Sequence, residues 1–299
     1  MNELPIVVTC THRKTSPPTA DLRARELPTG DVPERAAEWA RRLRDTQGRQ
    51  VALESLYQGD QWRRAQDLQA AASRAGFAPR LYVASAGLGL RPVSSAAPFY
   101  AATFVPRHAD SVASSGTQAS HWWDHLQRMD GTSDLPRLAA AAGRVLVVLS
   151  ETYAQAMHRD LTALAATGCE VVLIGGACDL DGIVRVPANA ALRHTLGGTL
   201  TSLNVRMAAS WLEHCAPGHL ISPAAQARWT SWASQTARPE RYARQPMSDE
   251  QVIDFIRKMK DLYPDSSRTR LLRLLRDEGM ACEQKRFGAL YSSTIGGQR

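Results

Sequence analysis

Arg80-Leu-Tyr-Val-Ala-Ser-Ala-Gly-Leu-Gly-Leu90 reads as a strand, Leu81 to Ala84, that stops at a small-residue turn, Ser85-Ala86-Gly87. Gly87 and Gly89 can take backbone angles closed to other residues, and they let a ligand or another backbone come close. Open α/β sheets place their sites at such strand ends, although small-residue turns also simply close core strands. Outward from this stretch, Leu4-Pro-Ile-Val-Val-Thr9, Arg144-Val-Leu-Val-Val-Leu149 and Glu170-Val-Val-Leu-Ile174 are short apolar, β-branched runs, and Ile183 to Val186 is a weaker one. Continuous apolar strands belong to parallel sheets covered on both faces. Strand, helix, strand from Arg144 to Ile174 makes a βαβ unit. The expected fold class is α/β: a three-layer, mostly parallel sheet over residues 1–236, a linker over 237–246 and a helical domain over 247–299.

The chain has 299 residues and is 44% hydrophobic, which allows a sizeable core and argues against global disorder. A formal charge of +7 favours a polyanionic partner. Most of the basic residues are arginines, the side chain suited to bidentate phosphate contact. The five cysteines form no CxxC pair, so neither a disulfide framework nor a zinc ribbon is indicated. Residues 1–10 lack a basic leader region and no apolar run reaches transmembrane length. A soluble, cytoplasmic protein with no metal or organic cofactor is expected. His121 and His125 share a helical face at i, i+4, but without a flanking glutamate or a third ligand they are read as part of a turn packed around Trp122 and Trp123.

Candidate site residues gather at strand ends. Thr9 closes the first strand, and Cys10-Thr-His-Arg-Lys14 follows with hydroxyls, backbone N–H groups and two cations. That loop either holds a phosphate or sugar oxygen or is a polar loop punctuated by Pro17 and Pro18. Asp60, after Gly59, either caps the next helix or faces the cleft of the Ser85 turn. Pro92 to Phe104 reads as a long connection whose Phe99, Tyr100 and Phe104 either stack on a flat ring or tuck into the core, with Thr103 beside them. Ser111 to Ser120 reads as a small-residue linker or flap. Ser150 is the natural N-cap of the helix after Leu149, and Glu151 is a carboxylate at that strand's carboxyl end. Asn204 and Arg206 fall in the first turns of a helix begun near Thr199, where free N–H groups attract phosphates, or that helix is an ordinary amphipathic one whose Arg206 is solvated.

The tail reads as three helices, 248–262, 268–278 and 281–291, with Gly279 as a left-handed turn between the last two. Helix, Gly-containing turn, helix is the helix-turn-helix pattern. Arg273 lies in the arginine-rich middle helix; Glu283, Gln284, Lys285 and Arg286 lie where a recognition helix would read bases. The alternative is a small bundle that pairs with a partner.

Cys10-Thr-His-Arg-Lys14, Leu56-Tyr57-Gln-Gly59, Ser85-Ala-Gly-Leu-Gly-Leu90 and Tyr100-Ala-Ala-Thr103 occur in an order that resembles a family of uracil-DNA-glycosylase-like α/β domains, which includes peroxide-stress proteins and domains attached to tRNA-guanine transglycosylases. The resemblance covers about residues 4–176. With a DNA-binding tail, the chain is also similar to phage-defence DNA glycosylases that excise glucosylated hydroxymethylcytosine. The resemblance implies hydrolysis of the N-glycosidic bond of a modified base in double-stranded phage DNA, leaving an abasic site, after the nucleotide is flipped out of the stack. Asp60 or Glu151 would be the catalytic carboxylate. Thr9, Cys10, Thr11, Lys14, Ser85, Gly87, Tyr100 and Thr103 would bind the nucleotide. Asn204, Arg206, Arg273, Gln284, Lys285 and Arg286 would hold DNA. One departure stands out: the family often has Asp after the Tyr, and this chain has Ala101. A non-catalytic DNA-binding protein and a base-exchanging transglycosylase are the alternatives.

Overall fold

The computed structural model describes residues 2–238 and 245–296. They form two units, Met1–Arg238 and Pro239–Arg299. In the first unit the chain runs β1 (Glu3–Thr9), α1 (Val32–Asp45), β2 (Gln50–Ala52), α2 (Leu53–Leu56), α3 (Asp60–Arg74), β3 (Ala78–Ser85), β4 (Gly89–Pro92), β5 (Ala96–Pro98), α4 (Gly116–Leu126), α5 (Leu135–Ala142), β6 (Arg144–Leu149), α6 (Glu151–Ala156), α7 (His158–Ala165), β7 (Glu170–Gly175), β8 (Val184–Val186), α8 (Arg193–Leu196), α9 (Leu200–His214) and α10 (Pro223–Thr236).

Six of these strands make one sheet in the order β4-β3-β1-β6-β7-β8. Within it β4 alone is antiparallel, folded back on β3 through the Ser85 turn. The parallel strands run outward in both directions from β1 and β6, so the strand order reverses between those two. In open α/β sheets the crevice outside the carboxyl ends at such a reversal is where ligands bind. Thr9 lies opposite Ala84, and Val8 opposite Val148, which sets the ends of β1, β3 and β6 side by side.

The apolar runs are continuous because both faces of the sheet are covered. Ile6, Val7 and Val8 are fully buried, as are Val145, Leu146 and Val147. Helices α3 and α9 pack on each other, while α5 packs on β1, β6 and α7, an arrangement compatible with a three-layer fold. Local signals start the helices. Asp31 accepts the Glu34 N–H at 2.9 Å ahead of α1, and Val32, Ala36, Trp39 and Leu43 give that helix its buried stripe.

The stretch from Pro92 to Phe104 is not an open connection. It contains β5, paired antiparallel with β2, and Tyr100 and Phe104 are buried in the core. Likewise Val112 is fully buried, and Ser115 already caps α4. The described residues at either end of the linker expected over 237–246 pair within the two units. The Arg238 N–H bonds to the Ala191 carbonyl within the first unit at 2.9 Å, Gln245–Pro246 pair within the second, and 239–244 lie outside the described residues.

The second unit comprises β9 (Gln245–Pro246), α11 (Asp249–Leu262), α12 (Arg268–Asp277), β10 (Met280–Ala281) and α13 (Gln284–Gly296). Val252, Ile256, Leu271, Leu275 and Phe287 are fully buried in its own core. Gly279, at φ 81°, turns the chain after α12. The last helix starts at Gln284 rather than Ala281, because Met280–Ala281 pair in parallel with β9. Glu283 caps it, accepting the Lys285 and Arg286 N–H groups at 2.8 and 2.7 Å. No helix among the described residues is long and apolar enough to cross a membrane.

Candidate functional site

The loop after β1 builds a pocket at the carboxyl edge of the sheet. Thr9 ends the strand with its hydroxyl accepting from the Gln61 amide at 2.9 Å. The buried Thr11 hydroxyl reaches the carbonyls of Arg13 and Gln58, at 2.9 and 3.2 Å, and so folds the loop onto the segment before α3. Lys14 then lays its ammonium 4.2 Å from the centre of the Tyr100 ring and 5.6 Å from that of Tyr57. His12, Arg13, Lys14, Arg23, Arg25, Tyr100, Ala101 and Asp110 are among the residues around a pocket of about 380 Å³. The cationic side chains there outnumber the one carboxylate, so the pocket suits an anion.

That carboxylate, Asp110, is buried and held by Arg25 through two hydrogen bonds of 2.8 and 2.5 Å. The guanidinium keeps its carboxyl below the usual range, so Asp110 is both ionised and neutralised by its partner. Burial pushes the Lys14 ammonium below the ordinary lysine value. Stacking on tyrosine rings contributes about 1–2 kcal/mol to the charged form. Removing an unpaired ammonium from water costs several, and burial wins. His12 is lowered too, by burial and then by His108 and Lys14; its ring stands 4.6 Å from that of His108.

Beneath the pocket lies a chain of hydroxyls. Tyr100 is fully buried, and its Oη lies 2.5 Å from both the Tyr57 hydroxyl and the Ser85 hydroxyl. Ser85 Oγ accepts the Gly87 and Leu88 N–H groups at 3.0 and 3.2 Å. The Tyr153 hydroxyl accepts the Ala86 N–H at 3.2 Å and lies 3.1 Å from Cys10 Sγ. Trp122 and Trp39 donate to the Ala86 and Gly87 carbonyls, both at 2.8 Å. The polar groups of the Ser85 turn are therefore used inside the protein. A Cβ on Gly87 would come within 2.5 Å of the Tyr100 ring, so glycine here admits a tyrosine and not a ligand. Thr103 is buried, and its hydroxyl accepts the Val105 N–H at 3.1 Å.

Two residues expected in different roles meet directly. Asp60 is the first residue of α3, and it does not cap. Both its oxygens accept from Arg206 Nη2, at 3.1 and 3.0 Å. Arg206 is also spent on Ser202 and the Leu196 carbonyl, and the pair holds the Asp60 carboxyl low. The Asn204 amide donates to the Leu149 carbonyl at 2.9 Å and ties α9 to the end of β6. Glu151, at the start of α6, is exposed and accepts from the Gln155 amide at 3.5 Å. Among the described residues no cation pairs with it.

His121 and His125 line different cavities, the first with Gln155 and His158, the second with Arg91 and Arg128. No group of three His, Cys, Asp or Glu side chains among the described residues could hold a metal ion. In the second unit Gln284 and Lys285 are exposed on α13. Arg286 is tied to Asp249 and the Met247 carbonyl. Arg273 is exposed, 3.8 Å from Asp277.

Sequence reasoning missed His12, Arg23, Arg25, Tyr153 and Asp110. Asp110 matters most, because it lines the pocket beside Ala101. Its signal was faint: one acidic residue in 105–110, a stretch with no periodicity. The fold and site define an α/β protein with a cationic pocket at the carboxyl edge of its first strand. No family model, curated protein or solved structure matches the chain.

Proposed function

We propose that the chain is a DNA glycosylase that hydrolyses the N-glycosidic bond of a modified base, with glucosylated hydroxymethylcytosine the first substrate to test. The observation that carries this is the cationic pocket at the carboxyl edge of β1, sharing that edge with Glu151 and Asp60. Arg13, Lys14 and Arg23 suit the phosphates flanking an extruded nucleotide. Cleavage builds positive charge on the sugar, and a carboxylate stabilises it and orients water. Asp60 shares its charge with Arg206, so its net field is small. No cation among the described residues pairs with Glu151, and we assign it the catalytic part. The uracil-DNA-glycosylase-like fold, the helix-turn-helix role of α12 and α13 and the setting of defence against phage rest on the resemblance. So does a DNA-gripping role for Gln284 and Lys285, which their exposure suits.

The test is base release. Full-length protein is incubated with DNA containing cytosine, hydroxymethylcytosine or its glucosylated form, and free base and abasic sites are quantified. Release from one modified DNA is expected, with Glu151→Ala lowering the rate by about 10²–10³-fold and Asp60→Ala by less. No release from any DNA, with salt-sensitive binding intact, would favour a non-catalytic DNA-binding protein. The neutralisation of both Asp60 and Asp110 by arginine is the feature that fits that second reading.

A further inference from the structure

We infer that Lys14 is an amine nucleophile that forms a Schiff base with the aldehyde of an abasic deoxyribose, giving the protein a strand-cleaving lyase activity on abasic DNA. The inference rests on the reading above for its substrate. The chain has four lysines, Lys14, Lys258, Lys260 and Lys285, among 36 basic residues, so Lys14 is the lone lysine before residue 258. Around the same pocket the other cations are Arg13, Arg23 and Arg25. Arginine supplies charge for phosphate but does not give up its proton. A desolvated lysine does, and then attacks carbonyl carbon.

The geometry suits that role. The Lys14 ammonium lies over the rings of Tyr100 and Tyr57. Among the described residues no carboxylate pairs with it, and its hydrogen bond to the His12 carbonyl is long, 3.5 Å. Asp110, the carboxylate of the pocket, is taken by Arg25. Burial lowers Lys14 toward the neutral amine, and His12 beside it is lowered toward neutral imidazole.

In the reaction, neutral Nζ attacks C1′ of the ring-opened sugar. The C–N bond forms as the carbonyl π bond breaks, and the oxygen takes a proton from the nitrogen. With one further proton from solvent that hydroxyl leaves as water, giving the iminium. His12 takes the C2′ proton, now acidified, and the C3′–O bond breaks with its electrons leaving on the phosphate. Water then hydrolyses the conjugated iminium, returning Lys14 and releasing an unsaturated aldehyde on the 5′ fragment. The second water replaces the first, and His12 returns its proton to solvent.

The test supplies the abasic site ready-made. Full-length protein is mixed with a duplex carrying one preformed abasic site, with and without sodium borohydride. A covalent protein–DNA adduct is expected with borohydride, mapped by peptide mass to Lys14, and a nicked strand without it. Lys14→Arg, which keeps the charge, should lose both, while Lys258→Arg keeps them. A tetrahydrofuran analogue, which lacks the aldehyde, should give no adduct. No adduct from the wild-type protein, an adduct mapped to another amine, or full trapping by Lys14→Arg would overturn the inference. Base release plays no part in this assay. Trapping without base release from any modified DNA would sink the glycosylase reading and leave the lyase; base release without trapping would do the reverse.

Discussion

Lys14 sets recognition against stability. An ammonium held over tyrosine rings beside Arg13, Arg23 and Arg25 is costly on its own, and on the proposed reading that cost is offset when DNA phosphate arrives. Lys14→Met should therefore raise the melting temperature by about 2–4 °C at pH 7 while weakening DNA binding. A lowered melting temperature would mean that stacking on the rings outweighs burial. The pH dependence has a definite sign. With the folded value below the ordinary one, the cost is present while Lys14 is protonated and fades as pH rises through the folded value, so the gap between variant and wild type should shrink toward about pH 10. Asp110 behaves oppositely. Its depressed carboxyl stabilises the fold above about pH 4 and loses that contribution as pH falls through the folded value. Urea midpoints of Asp110→Asn should lie below those of the wild type at about pH 6 and converge with them in more acid solution. Thr9, Cys10, Thr11 and Lys14 could be read as one cluster because they lie close together at a strand's end. Arg25 and Asp110 could not, since tertiary folding alone joins residues 85 apart.

Strands β1, β3, β6 and β7 were legible because burial on both faces makes each a continuous apolar run. β5 was not. Three residues, Ala96–Pro98, carry no periodicity, and their pairing with Gln50–Ala52 gives them their form. The Ser85 turn could be read as a turn but not as a filled one, because Trp39, Trp122, Tyr100 and Tyr153 reach it from α1, α4 and α6 and from the chain after β5. The turn is thus a filled floor whose polar groups are paired inside the protein, and the pocket is lined by the β1 loop instead. Trp39→Phe should test this. It keeps most of the buried ring but leaves the Gly87 carbonyl unpaired, so denaturant unfolding should show a loss of about 1–3 kcal/mol. An unchanged midpoint would mean the bond to Gly87 contributes nothing.

Across the whole molecule, positive charge is spread over both units, and position along the chain does not tell a gripping residue from a structural one. Lys285 and Arg286 are neighbours in α13, and base-reading geometry was expected of both. Arg286 spends its guanidinium on Asp249 and the Met247 carbonyl, so it ties α13 to the start of α11. Lys285 is exposed, and its backbone N–H, not its ammonium, serves the Glu283 cap. On the proposed reading the two should separate in a salt titration of DNA binding by the full chain. Removing one cation that pairs with a phosphate lowers the slope of log affinity against log salt by about 0.9. Lys285→Gln should lower the slope by about that amount and leave the urea midpoint unchanged. Arg286→Gln should leave the slope nearly unchanged and destabilise the second unit, seen as a lower midpoint. If Arg286→Gln instead moved the slope with no loss of stability, its ion pair would be dispensable and the arginine would be the residue that meets phosphate.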